Sequence, residues 1–359
     1  MLDPSSSGSL ALGLRAGVRT TADRVVHASR QRWRHRVRRM VEGTVLVLFA
    51  VTLFALFVHN RMTPTRAADR PADISMSGAE VYHINGFGIW VMDTGPVTDP
   101  VPIIVLHGGP GQSSEPLRDA FRSLEAHHRV IYYDQRGAGR SEVKAELSHY
   151  TVDQLVHELE LLRRMVATTP RIRLLAHGFG GVVAQHYALS YPEHVESMVL
   201  LSSPPAEGVQ YQTVFEYYDE LWKTVFQAGI PPEDPAAADA WYARYWHRRA
   251  VAMLGDPAHA SLLPDLHGSF APARALNASL ASMVRPHRLS RGRLAPRTLL
   301  VYGQEEAPCG PGEGLAPMVL RFANATLVTI SGTGYWSFLE QPDLVHAHIE
   351  AFLSAAATR

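Results

Sequence analysis

The sequence predicts a doubly wound α/β domain, and three observations carry that prediction. Short apolar runs recur without polar alternation: PIIVL (102–106), RVIYY (129–133), RIRLLA (171–176), SMVLLS (197–202) and TLLVY (298–302). Continuous apolar strands are buried on both faces, which makes the sheet mainly parallel with helices on either side. Segments of helical period, such as VDQLVHELELLRRMVATT, separate the runs, as parallel crossovers require. From 204 to 294 the alternation stops, and PPAEGVQYQTVFEYYDELWKTVF, DAWYARYWHRRAVAML and ALNASLASMVRP read as helices with proline-rich joints. That stretch is expected to be a helical cap inserted into the sheet domain.

The chain of 359 residues is 46% hydrophobic, a mixture that suits a sizeable buried core and fits neither a disordered nor a fibrous protein. Its 34 basic residues balance 34 acidic ones, so net charge implies no nucleic-acid partner. The single cysteine, Cys309, excludes an internal disulfide and a cysteine-based metal cluster. No metal site and no cofactor are expected.

Charge is uneven at the start of the chain. Arg24, Arg30, Arg32, Arg34, Arg36, Arg38 and Arg39 lie in a basic leader (1–40), ahead of the uncharged run GTVLVLFAVTLFALFV. With its flanks this run reads as a transmembrane helix over 41–59, at the short end of the span needed for about 30 Å of hydrocarbon. A cleaved signal peptide is the competing reading, but the leader is long and no small-x-small cleavage site follows closely. Beyond the run only Arg61, Arg66 and Arg70 are close by. The arginine excess places the N-terminus in the cytoplasm and the main domain outside the cell membrane, as a single-pass protein.

A polar linker (60–77) follows, and then the first part of the sheet domain (78–203). It opens with EVYHINGFGIWVMDTG, in which Asn85 and Gly86 supply the positive φ values of a tight hairpin. The cap occupies 204–294 and the second part of the sheet domain 295–359. In such sheets chemistry sits at the carboxyl ends of the strands, so the loops after those runs carry the candidate sites. HGGPG (107–111) places three glycines directly after a strand, where backbone N–H groups can turn inward as donors to an oxyanion. A phosphate loop would need a following lysine that is absent. DQRGAGRS (134–141) ends the next strand in a glycine-rich turn, readable as pinned by Arg–Asp pairing.

HGGPG followed by DQRGAGRS resembles the proline iminopeptidase family of the α/β-hydrolase superfamily. Strand order, cap insertion and the closing FLEQPDLVHAHIEAFL extend the resemblance over roughly residues 78–357. The resemblance implies a triad of serine, acid and histidine in that chain order. The serine belongs at the tip of a small-x-Ser-x-small elbow, which here reads Ala176, His177, Gly178, Phe179, Gly180. The acid is expected three residues after Gly303, at Glu306. The histidine is expected after Gly332-Thr333-Gly334, where the chain has Tyr335. Glycine carries no nucleophile, and a phenol with an ordinary pKa near 10 is a poor base at neutral pH.

The oxyanion donors implied by the resemblance are Gly108, Gly109 and Phe179, and the expected pocket residues are His107, Trp241 and Trp246. Phe179 stands where the family usually has tryptophan, and Trp246-His247 where a Trp-Glu pair is expected. The resemblance implies cap acids that hold a substrate amine; Glu216, Asp219 and Glu220 are the candidates, and solvation of a helix surface is their plainer role. The rings of Tyr211, Phe215, Tyr217, Tyr218, Trp222, Trp241, Tyr245 and Trp246 suit either a cap core or an apolar pocket roof. The leading expectation is a pseudoenzyme that binds a small molecule, a peptide or a protein partner. The alternative is a working aminopeptidase or esterase with displaced machinery, for which Ser202, Ser203, Ser113, Ser114, His177 and Cys309 are the candidates. Each has a plainer role as well: Ser202 and Ser203 at a strand end, Ser113 and Ser114 in N-capping the helix that begins EPLRDAF, His177 in packing behind the elbow, and Cys309 as a bystander.

Overall fold

The chain divides into two compact units, Met1–Met62 and Thr63–Arg359. The computed structural model describes, within the second, residues 69–73, 75–205, 231–283, 294–306 and 315–355. The expected leader and anchor lie outside the described residues, as do Glu216, Asp219, Glu220, Cys309 and the cap rings from Tyr211 to Trp222. Among the described residues no helix is long and apolar enough to cross a membrane.

The described residues build one eight-stranded sheet in the order β1-β2-β4-β3-β5-β6-β7-β8. β1 (Ala79–Ile84) and β2 (Phe87–Thr94) form the expected hairpin, with Asn85 at φ 49° and Gly86 at φ 81°. That pair of positive φ values matches the twist of the flanking strands. β2 runs antiparallel to β4 (Val130–Tyr133). β3 (Ile103–Leu106), β5 (Ile172–His177), β6 (Val195–Leu201), β7 (Arg297–Gly303) and β8 (Ala325–Ile330) continue from β4 in parallel. β3 and β4 are buried at every position, the burial their unbroken apolar runs demand.

Helices α1 (Glu115–Phe121), α2 (Val152–Val166) and α3 (Phe179–Ser190) cross between strands. In α2, Val152, Leu155, Val156, Leu159, Leu162 and Val166 make one buried stripe, and the Thr151 side chain caps the Gln154 N–H at 3.2 Å. α3 starts at the elbow, and a side chain at Gly180 would run into the carbonyl oxygens of Leu106 and His107. Glycine at this position lets the helix lie directly on the end of β3.

Between β6 and β7 the described part of the cap is helical, as expected: α4 (Pro235–Ala252), a short 3-10 turn (Pro257–Leu262) and α5 (Phe270–Met283). Helices α6 (Leu315–Leu320), α7 (Ser337–Glu340) and α8 (Pro342–Ser354) complete the domain. β4 lies on one side of β3 and β5 on the other, so the strand order reverses at β3. The crevice that opens at such a reversal receives both HGGPG and the elbow.

Candidate functional site

Gly178 caps the N-terminus of α3 at φ 52° and ψ −119°, a backbone conformation that costs a residue with a side chain about 1–3 kcal/mol. Its N–H donates to Leu201 O at 3.0 Å, tying the elbow to β6. A Cβ built on Gly178 would fall on the Tyr335 hydroxyl and lie 2.9 Å from the ring carbon that bears it. The two positions at which the resemblance implies a serine and a histidine are therefore in contact, and the phenol fills the volume that a side chain at position 178 would need.

Tyr335 is held in a stack of rings. His177 lies 4.4 Å from it, centroid to centroid, and Trp336 lies 5.4 Å from it edge-on. His177 also meets Trp336 and Phe338 at 5.0 Å each. Its Nε2–H donates to the Tyr335 carbonyl at 3.3 Å, and burial pushes its pKa down to about 3. The neutral imidazole is committed to this stack and packs the back of the elbow.

Glu306 follows β7 by three residues, as the resemblance implies, and is buried. It accepts from Ser202 Oγ at 2.8 Å and from the Gly303 N–H at 3.3 Å, while Oε1 has no partner among the described residues. Burial raises its pKa to about 7, against the lowering effect of those two donors. Ser202 itself is fully buried with φ 47°. Its hydroxyl engages the expected triad acid in addition to ending a strand, a pairing that no local motif signals.

The HGGPG loop lies against this group. Gly109 has φ 125°, and a Cβ on Gly108 would stand 3.1 Å from His177 Nδ1. His107 accepts the Gln135 N–H on Nε2 at 3.0 Å, which leaves Nδ1–H to donate to Gly108 O at 2.8 Å. Burial lowers its pKa, and with both nitrogens engaged the ring shapes the loop and offers none to a ligand. Above the loop, Tyr242 donates to Pro110 O at 2.8 Å and the Ser269 N–H to Gly111 O at 2.9 Å. Trp241 stacks on Tyr245 at 5.5 Å and meets Phe270 edge-on at 5.4 Å. Trp246 packs edge-on against Tyr242 and Tyr245, and its buried Nε1–H has no hydrogen-bond partner among the described residues.

Two local expectations are corrected. Ser114 makes no side-chain N-cap bond; its N–H and hydroxyl both bond Asp134 Oδ1 at 2.7 Å, because that buried carboxylate at the end of β4 needs donors. The DQRGAGRS turn is likewise not closed by Arg–Asp side-chain pairing. The backbone N–H of Arg140 donates to Asp134 Oδ2 at 2.8 Å, while the Arg136 side chain pairs with buried Glu158 at 2.7 Å. Among the described residues no group of three or more His, Cys, Asp or Glu side chains is arranged to hold a metal ion.

A family model described as the alpha/beta hydrolase fold matches residues 101–342. The chain belongs to the alpha/beta hydrolase family. Over a shorter segment it is similar to proline iminopeptidases. It is 34% identical over 128 residues to a proline iminopeptidase of Saccharolobus solfataricus, covering 35% of this chain and 41% of that one. It is 30% identical over 128 residues to one of Thermoplasma volcanium, covering 35% and 43%. The matched segment thus spans about two-fifths of the length of these curated relatives. An epoxide hydrolase, CorEH, superposes with a TM-score of 0.60 at 17% identity, covering 77% of this chain and 98% of its own. A thermophilic esterase from Thermogutta terrifontis does so with a TM-score of 0.59 at 20% identity, covering 81% and 99%. Identities this low establish the shared hydrolase fold alone.

Proposed function

We propose that this hydrolase-fold protein is a catalytically inactive, membrane-anchored binding module. What supports the reading is the contact between Gly178 and Tyr335: the elbow has no nucleophile, and a phenol sits where its side chain would project. Loss of one triad member already removes most of the rate such a triad provides, and here two positions have changed. The oxyanion loop and its roof retain their ordered contacts, which suits a role in binding a small molecule, a peptide or a protein partner. The uncharged run GTVLVLFAVTLFALFV within the expected span 41–59, and the seven arginines ahead of it, support a single-pass anchor, with the N-terminus cytoplasmic and the domain outside.

The full-length purified protein is expected to hydrolyse neither prolyl-arylamides nor short p-nitrophenyl esters above the buffer rate. Turnover that copurifies with the protein and disappears on denaturation would overturn the reading. A reporter fused after Arg359 tests the orientation, since reporter activity in the cytoplasm contradicts an outward domain.

One observation favours a second reading, an active hydrolase with a displaced nucleophile. Ser202 has a strained backbone and a carboxylate 2.8 Å from its hydroxyl, beside the elbow. Its complete burial weighs against access by substrate. Turnover abolished by Ser202→Ala would establish this reading in place of the first.

A further inference from the structure

The turn that carries Tyr335 is fastened to the cap by one carboxylate. Glu340 stands at the end of α7 with its side chain fully buried. Its Oε2 accepts the Gly334 N–H at 2.7 Å, and its Oε1 accepts the N–H groups of Gly255 and Asp256 at 3.0 and 3.2 Å. Oε1 also meets His259 Nδ1 at 3.1 Å, and that ring is 36% exposed. Gly255, Asp256 and His259 belong to the cap segment after α4, whereas Gly334 adjoins Tyr335. The Tyr335 N–H completes the joint by donating to Met253 O at 2.8 Å. The two backbones touch: a Cβ on Gly255 would lie 2.6 Å from Thr333 main-chain atoms, and one on Gly334 would strike the Met253 carbonyl.

These observations describe a shared fastening, in which neither segment can move away without stripping donors from a buried carboxylate. We propose that Tyr335 is an autoinhibitory plug of the elbow, and that Glu340 and His259 latch it to the cap, so that cap and plug release together. This rests on the reading of the site as a retained binding place and names its regulation. While the latch is closed, the phenol fills the tip of the elbow. When the 253–259 segment lifts, the same hydrogen bonds carry the 333–335 turn away from Gly178 and open the crevice beside the HGGPG loop. His259, at the surface end of the network, is the point from which a partner can undo it.

Hydrogen exchange on the full-length protein tests the coupling. His259→Ala removes the exposed end of the latch without emptying the core, and Glu340→Gln removes the charge that gathers the donors. Loss of one charge-assisted bond is expected to speed local opening by about tenfold. In His259→Ala the amides of 253–256, 333–335 and 178–179 are expected to accelerate together by a common factor, with a larger common factor in Glu340→Gln. Acceleration confined to one of these segments, or unchanged exchange in all three, overturns the latch. If Glu340→Gln fails to fold, the His259→Ala result decides alone. Exchange is read without substrate, so a failed latch and an unexpected hydrolytic activity are separate outcomes.

Discussion

Replacing Gly178 by serine tests the contact on which the functional reading rests. Two penalties add. The backbone at φ 52° costs a residue with a side chain about 1–3 kcal/mol, and the new Cβ must displace the Tyr335 hydroxyl, an overpacking worth about 1–3 kcal/mol more. Gly178→Ser is therefore expected to destabilise the protein by roughly 2–6 kcal/mol. Tyr335→His alone loses buried ring packing and is also destabilising. In the double variant the steric part of the first penalty vanishes, so the cycle is expected to show a favourable coupling of about 1–3 kcal/mol. Denaturant unfolding of the four full-length proteins measures it. Strictly additive effects would show that the phenol does not occupy the nucleophile's volume. A fluorophosphonate probe adds a chemical readout: the double variant is expected to label, while either single variant gains little. A folded double variant that stays unlabelled would refute the assignment of Gly178, Glu306 and Tyr335 as the three triad positions.

Two further predictions follow from buried charges. Burial holds Glu306 at about 7 against the ordinary carboxyl value of 4.5, so the folded state binds this proton more tightly than the unfolded state. The favourable contribution is complete below pH 4.5 and is lost as pH rises from there to about 7, amounting to about 3 kcal/mol. Unfolding measured across that window is expected to show the loss, and in Glu306→Gln the corresponding slope should disappear; an unchanged slope contradicts the assignment. Arg136 and Glu158 form a pair that is almost wholly buried, and burial raises the Glu158 pKa against the pull of the guanidinium. Glu158→Ala, which strands the arginine, is expected to cost about 3–5 kcal/mol in denaturant unfolding, and a loss below 1 kcal/mol would show the pair to be solvated.

What the sequence determined by itself is what local chemistry encodes. Unbroken apolar runs marked strands with two covered faces, Asn85-Gly86 marked a hairpin, and glycine spacing placed HGGPG and the elbow at strand ends. Glu306 after Gly303 and Tyr335 after the Gly-x-Gly turn came instead from the resemblance to the proline iminopeptidases, which implies an acid and a histidine at those places. Ser202 was legible as the end of a strand, but its bond to Glu306 spans 104 residues of chain, and no periodicity reports a contact at that distance. The same limit hid Glu340, whose partners lie in the cap, 84 and 85 residues before it, and made Ser114 look like an ordinary N-cap until Asp134 claimed its hydroxyl. Tyr335 read as a histidine lost. Only the tertiary structure shows its hydroxyl in the space beside Gly178, because steric exclusion between segments brought together by folding depends on where both backbones finally lie.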